Sequence, residues 1–247
     1  MLGNNFILMN IKENFRTFLQ FLHLDLTKNL SYDRLTKIII KDVLNPSSNA
    51  IDVGCHKGEI LDLIIKAAPE GKHFAFEPIP FFYNQLQKKY VDVNVLPYAL
   101  SNKSGVRKFK YVKNAPAYSG LKERTYKNNK PEIKNISVRV EKLDECIPKK
   151  NKIDLIKIDV EGGEFDVLKG GQDLLYRDQP VLIFESGLGA SEYYGTNPTE
   201  LFIFLSKIGY NIYSLKAYIN SENPYTEQSF VKCYNNNDEY YFVAKQS

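Results

Sequence analysis

The sequence reads as an α/β fold: a mostly parallel, seven-stranded sheet covered by helices on both faces, with an antiparallel hairpin at one edge and helices at its N-terminal side. Two observations predict this. Short apolar segments of strand length alternate with helical ones from residue 50 onward, the pattern of a parallel sheet buried on both sides. Glycine-bearing or acidic turns follow those segments, where an open sheet of this kind gathers its ligands. Composition permits it, since 247 residues with 43% hydrophobic content can bury a large core.

Residues 1–45 form an N-terminal helical segment ahead of the α/β domain at 46–247. The start, MLGNNFILMNIKENFRTF, lacks a basic leader, and Lys12, Glu13 and Arg16 interrupt its apolar run. It is therefore expected to be neither a signal peptide nor a transmembrane segment. Phe15, Leu19 and Leu22 recur at helical spacing and predict an amphipathic helix packed on the core. A homodimer contact or docking on a membrane surface is the other use of such a stripe. A second helix runs from Ser31, as N-cap, to Leu44, where Asn45-Pro46 stops it.

Strands and helices then alternate. AIDVG from Ala50 is a strand and GEILDLIIKAA from Gly58 a helix. HFAFEP from His73 is a strand, PFFYNQLQKKY from Pro80 a helix with proline in its first turn, and VNVLPYAL from Val93 a third strand. IDLIKIDV from Ile153 and PVLIFESG from Pro180 are strands four and five, and a helix spans Thr199 to Ile208. NIYSL and EYYFVAK complete the sheet as an antiparallel edge pair, with no clear helix between them.

One segment departs from the pattern. Between Ser101 and Asn135, lysines and arginines far outnumber the two acids, Glu123 and Glu132, and Tyr111, Tyr118 and Tyr126 punctuate them. It is predicted to be a hairpin plus a mobile loop over the open side of the sheet. The whole-chain charge of +4 is too small to identify a partner. Three cysteines without a C-x-x-C pair imply reduced thiols, a reducing cytoplasmic compartment and no cysteine zinc site.

The turn after the first strand, DVGCHKGE, brackets a tight loop between Gly54 and Gly58 and opens onto a helix N-terminus. Glu77 follows about 20 residues on, the spacing at which an acid binds ribose hydroxyls. A dinucleotide loop needs G-x-G-x-x-G for its pyrophosphate, and the middle glycine is missing. Asp52 beside the loop suits a cationic amino group instead. The loop therefore favours S-adenosylmethionine over a nicotinamide cofactor, with the YALSN strand end, at Ala99, bordering its adenine.

The stretch IDLIKIDVEGGEFDVLKGG resembles the signature of the FkbM-family methyltransferases, S-adenosylmethionine-dependent O-methyltransferases acting mainly on sugars and on polyketide or glycan hydroxyls. IDVGCHKGE, FAFEPIP, YALSN, KLDE and PVLIFES occur in family order, so the resemblance covers Ala50 to Gly187. It implies a class I methyltransferase, a Rossmann-like fold. It also places Asp52, Gly54, Gly58, Glu77 and Asp159 at the cofactor, with Cys55, His56, Pro78 and Ala99 beside them. Cys55-His56 replace the Ala-Asn usual in the family.

In that signature Asp159, Glu161, Glu164 and Asp166 crowd around Gly162-Gly163. A sugar hydroxyl must lose a proton to be methylated, so Asp159, Glu161 and Glu185 are the catalytic candidates. The same three oxygen donors would hold Mg²⁺ if the reaction uses a metal. Glu164 and Asp166 fit the first turn of a helix, where acids favour the dipole, and Gly170-Gly171 end it. The leading expectation is O-methylation of a carbohydrate hydroxyl, in a surface-glycan or nucleotide-sugar precursor. Lys108, Lys110 and Lys113 in a substrate-ordered lid would suit an anionic acceptor. RNA methylation is the alternative: the basic, tyrosine-bearing insert favours it, while the near-neutral remainder and the lack of an N-P-P-Y motif oppose it. A binding protein without turnover is the third, opposed by the intact carboxylates.

Overall fold

Short, wholly buried strands pair in parallel at the centre of the computed structural model, which describes residues 27–125 and 130–246. The stripe at Phe15, Leu19 and Leu22 and the tyrosine at 126 lie outside the described residues. The sheet has seven strands in the order β3-β2-β1-β7-β8-β10-β9. These are β1 (Ala50–Val53), β2 (Phe74–Phe76), β3 (Asn94–Leu96), β7 (Leu155–Ile158), β8 (Val181–Glu185), β9 (Tyr210–Ser214) and β10 (Tyr241–Gln246). β10 pairs antiparallel with both β8 and β9; the other pairs are parallel. This is the mostly parallel, Rossmann-like sheet that the sequence predicts, with its antiparallel pair at one edge. Strand order reverses between β1 and β7, so their carboxyl ends open the crevice where such a sheet binds ligands.

The helices follow their sequences with three corrections. Helix α1 (Lys28–Val43) is capped by Thr27, whose side chain accepts the Leu30 N–H; Ser31 already lies inside the first turn, donating its N–H to the Thr27 carbonyl at 3.2 Å. Tyr32, Thr36, Ile39 and Ile40 form its buried stripe, and Tyr32, Ile39 and Ile40 pack with Ala50, Leu155, Ile183 and Val243 on one face of the sheet. Helices α2 (Glu59–Ala67) and α3 (Pro80–Lys89) follow β1 and β2 as expected.

The segment VNVLPYAL is not one strand. Asn94–Leu96 pairs with β2, whereas β4 (Tyr98–Leu100) turns away into a second sheet. Pro97, between them, has no N–H for a ladder and holds its neighbours apart. In the second sheet, of order β4-β6-β5, β5 (Gly105–Val112) and β6 (Ile133–Glu141) make the hairpin expected of the basic insert. The third correction concerns the edge pair β9 and β10, which two helices separate in sequence: α8 (Leu215–Ile219) and α9 (Glu227–Asn236). Helices α4 (Leu143–Cys146), α5 (Glu164–Gly170), α6 (Gln172–Asp178) and α7 (Pro198–Lys207) complete the fold. Among the described residues no helix is long and apolar enough to cross a membrane.

Candidate active site

A cleft of about 700 Å³ opens at the carboxyl ends of β2, β1, β7 and β8, and nearly all the residues singled out in the sequence border it. Strand register places them. Asp52 in β1 stands opposite Lys157 in β7, and Glu185 at the end of β8 stands opposite Tyr241 at the start of β10. Asp159 is the first residue past β7, its N–H donating to the Val53 carbonyl at 3.0 Å.

At the β1 side the loop approaches its neighbours closely. Gly54 has φ +80°, and a Cβ there would lie 1.9 Å from the Asp159 carbonyl oxygen. His56, with φ +45°, donates its N–H to Glu77 Oε2 at 2.9 Å and packs its ring 4.3 Å from that of Phe82. Glu77 Oε1 accepts the Ile79 N–H at 2.8 Å. Burial, eased by these two N–H groups, pushes the Glu77 carboxyl up to about 7. Pro78 and Ala99 also border the cleft. Cys55 borders it too, although its thiol is buried 3.5 Å from the Phe76 carbonyl and burial drives its pKa up. Gly58 is the exception. It stands off the cleft as the N-cap of α2, with φ +84°, and a Cβ there would meet the Tyr90 hydroxyl at 2.5 Å.

Asp52 is fully buried, and neither of its carboxylate oxygens has a hydrogen-bond partner among the described residues. Burial pushes it up to about 6, against the pull of Lys157, whose Nζ is 4.0 Å away. His56 Nε2 is likewise buried without a partner. Such orphaned groups are costly unless a ligand or water completes them.

The crowded signature carboxylates are held apart by four different means. For Asp159, burial would raise the pKa, but the Lys157 ammonium at 3.1 Å and a hydrogen bond from the Tyr241 hydroxyl hold it below the usual range. Glu185 is driven well up by burial and by the Asp159 charge, and a side-chain hydrogen bond with Asp159 raises it further. Glu161, at φ +59°, pairs with Arg124 of the insert, while burial and Asp159 push it up to about 8. Glu164 begins α5 as expected, but its Oε1 accepts the Val160 and Gly162 N–H groups at 2.9 and 3.1 Å, bracing the turn. Asp166 accepts from Asn102 and pairs with Lys169 at 2.6 Å, away from the cleft lining.

Among the described residues no group of three or more His, Cys, Asp or Glu side chains is placed to hold a metal ion, so the Mg²⁺ site considered for Asp159, Glu161 and Glu185 has no support in the geometry.

The loop of the insert crosses the cleft. Tyr118, Leu121 and Arg124 border it, the Arg124 guanidinium lying 4.7 Å over the Tyr118 ring. The Lys122 N–H donates to the Tyr194 hydroxyl, and the Thr125 N–H to that of Tyr193, both at 3.1 Å. Lys108, Lys110 and Lys113 do not border the cleft; Lys110 pairs with Glu123 of the same insert at 2.9 Å. Strand alternation in β5 turns Phe109 to the cleft and its lysine neighbours away.

Sequence reasoning missed Lys157, Arg124, Tyr194 and Tyr241. A lysine inside the otherwise apolar LIKI run was a readable sign for the first. Nothing in EYYFVAK marks which tyrosine meets Asp159.

Comparison with known proteins points to one family. The family model "Methyltransferase FkbM domain" matches residues 52–212. A curated methyltransferase, sdnD of Sordaria araneosa, is 27% identical over 163 residues, spanning 52% of this chain and 63% of its own length. Among solved structures, the methyltransferase FkbM from Methylobacillus flagellatus is 14% identical with a TM-score of 0.49, over 87% of this chain and 52% of that one. An rRNA methylase from Streptococcus thermophilus is 10% identical with a TM-score of 0.46, over 86% and 95%.

Proposed function

Because the chain belongs to the FkbM family of methyltransferases, we propose that it transfers a methyl group from S-adenosylmethionine to a hydroxyl of a carbohydrate, in a surface-glycan or nucleotide-sugar precursor. The observation that carries this reading is Asp159: a carboxylate bordering the cleft, fixed by Lys157 and Tyr241 and held below the usual range.

The residues at the β1 and β2 ends fit the cofactor. Asp52, buried and without hydrogen-bond partners, suits its amino group, and Glu77 suits its ribose hydroxyls. Pro78 and Ala99 would flank the base. When bound, the cofactor supplies a methyl group on a positively charged sulfur.

The protein's own groups do the rest. Asp159 accepts the proton of the acceptor hydroxyl. Held below the usual carboxylate range, it is a weak base, so it takes that proton as the oxygen forms its new bond rather than beforehand. Lys157 and Tyr241 keep its orientation, a positioning contribution that suits an in-line displacement. The insert loop, tied across the cleft by Arg124 and Glu161, excludes water.

The acceptor reading shifts in one respect. The cations bordering the cleft are Lys57, Lys157 and Arg124, and the last two are paired with Asp159 and Glu161. Those pairings favour a neutral sugar ring beside Asp159 over an anionic one.

Radiolabelled methyl transfer to a panel of neutral sugars, nucleotide-sugars and RNA tests this. Incorporation into a sugar, lost in Asp159→Asn, is expected. Incorporation into RNA alone would overturn the carbohydrate assignment.

A further inference from the structure

We propose that the acceptor docks at the β10 end of the cleft, as a neutral pyranose lying against Tyr240 and Tyr241 with its reacting hydroxyl turned to Asp159; this rests on the carbohydrate reading above.

The strand order sets the two ends. Glu77 closes β2, and Tyr241 opens β10, with β1, β7 and β8 between them. Four strand spacings separate the two, roughly 19 Å. Among the described residues, a nucleoside-bearing cofactor seated on Asp52 and Glu77 leaves the β8–β10 end open. Asp159 stands between the halves, and the Tyr241 hydroxyl donates to it, so whatever lies against Tyr241 lies beside the proton acceptor.

The wall at this end consists of rigid aromatic plates. Tyr32 is buried behind the others, stacked on Tyr241 with centroids 5.3 Å apart and set edge-on to Tyr240 at 4.8 Å. All three hydroxyls are already engaged: Tyr32 with Glu239, Tyr240 with Asn29, and Tyr241 with Asp159. Anchored hydroxyls fix the rings and leave aromatic surface, rather than O–H groups, for the ligand. A pyranose presents an apolar C–H face that matches such a surface, and preorganised rings lower the cost of binding it. The Lys28 ammonium near Tyr240 donates to the carbonyls of Asn237 and Asp238.

This wall also lies outside the segment that matches the family, residues 52–212. Tyr32 comes from α1, and Tyr240 and Tyr241 from the start of β10. The methyl-donor half therefore uses residues inside the matched segment, and the aromatic wall uses residues outside it.

The test uses Tyr240, half-buried and not in contact with Asp159. Saturation-transfer NMR on the protein with S-adenosylhomocysteine and a set of methyl pyranosides is run beside labelled methyl transfer. We expect saturation of pyranose C–H protons in the wild type. In Tyr240→Ala the acceptor KM should rise tenfold or more while calorimetry shows S-adenosylhomocysteine affinity within twofold of wild type. Tyr240→Phe, which keeps the ring and loses the bond to Asn29, should recover most of that loss. A wild type that methylates pyranosides, with an unchanged KM in Tyr240→Ala, would overturn the subsite alone. Equal weakening of cofactor and acceptor would reduce Tyr240 to a structural role and also overturn it. A wild type that neither binds nor methylates pyranosides would overturn the carbohydrate reading and this assignment together.

Discussion

Lys157 sits within an apolar strand with its ammonium 3.1 Å from Asp159 and 4.0 Å from Asp52. Removing one partner of a buried charge pair leaves the others uncompensated, at a cost of about 3–5 kcal/mol. Lys157→Met should therefore lower the urea midpoint strongly. It should also raise the Asp159 pKa, moving the acid limb of the kcat profile to higher pH. A variant with wild-type stability and pH profile would show that Lys157 does not hold these acids. Glu77→Ala should weaken S-adenosylhomocysteine binding by about 1–3 kcal/mol, through lost hydrogen bonds to a charged acceptor, while NAD gives no calorimetric heat with either protein. Gly54→Ala is a different kind of change. It adds a Cβ 1.9 Å from a backbone carbonyl at φ +80°, so β1 and β7 must move apart at their ends; cofactor binding should vanish even where some fold survives.

At the scale of elements, the insert loop is tied to the rim by Arg124–Glu161 and by the hydroxyls of Tyr193 and Tyr194. Arg124→Met should leave Glu161 protonated and speed hydrogen exchange in residues 118–125, with the sheet amides unchanged; slow exchange there would mean that the tyrosine bonds suffice. Much of this level was readable in the sequence. Apolar strands, glycine turns and Pro80 at a helix start gave the alternation, and the excess of lysines marked the insert. What was not readable has physical causes. Pro97 splits a strand that propensity alone joins. Helix α9 carries only Phe230, Cys233 and Tyr234 on its buried stripe, but Thr226 and Ser229 form a capping box that did mark its start. Register is set by long-range pairing, so the facing of Lys157 with Asp52, and of Glu185 with Tyr241, had no local sign.

Across the whole molecule, the buried acids couple stability to pH. Burial raises Asp52 to about 6, Glu77 and Glu164 to about 7, and Glu161 to about 8. A folded state with raised carboxyl pKa values binds more protons than the unfolded chain, so this stability is present at low pH and lost as pH rises through those values. Asp159, held low, works oppositely, and its contribution is lost only below the ordinary carboxylate range. Between pH 5 and 8 the ligand-free Tm should thus fall as pH rises, by roughly 5 °C or more, and S-adenosylhomocysteine should flatten the slope by engaging Asp52 and Glu77. A Tm that is level or rising across this window would mean that these acids are ionised in the fold. The placing of β10 between β8 and β9 has a consequence for biosynthesis. As the chain leaves the ribosome, β9 emerges before its native partner, since among the described residues it pairs only with β10. The sheet can grow only as far as β8, and Asp159 lacks Tyr241, until the last strand has been translated. A nascent chain stalled before Tyr241 would hold the β1–β2 half of the cleft assembled and its β8–β10 half unmade.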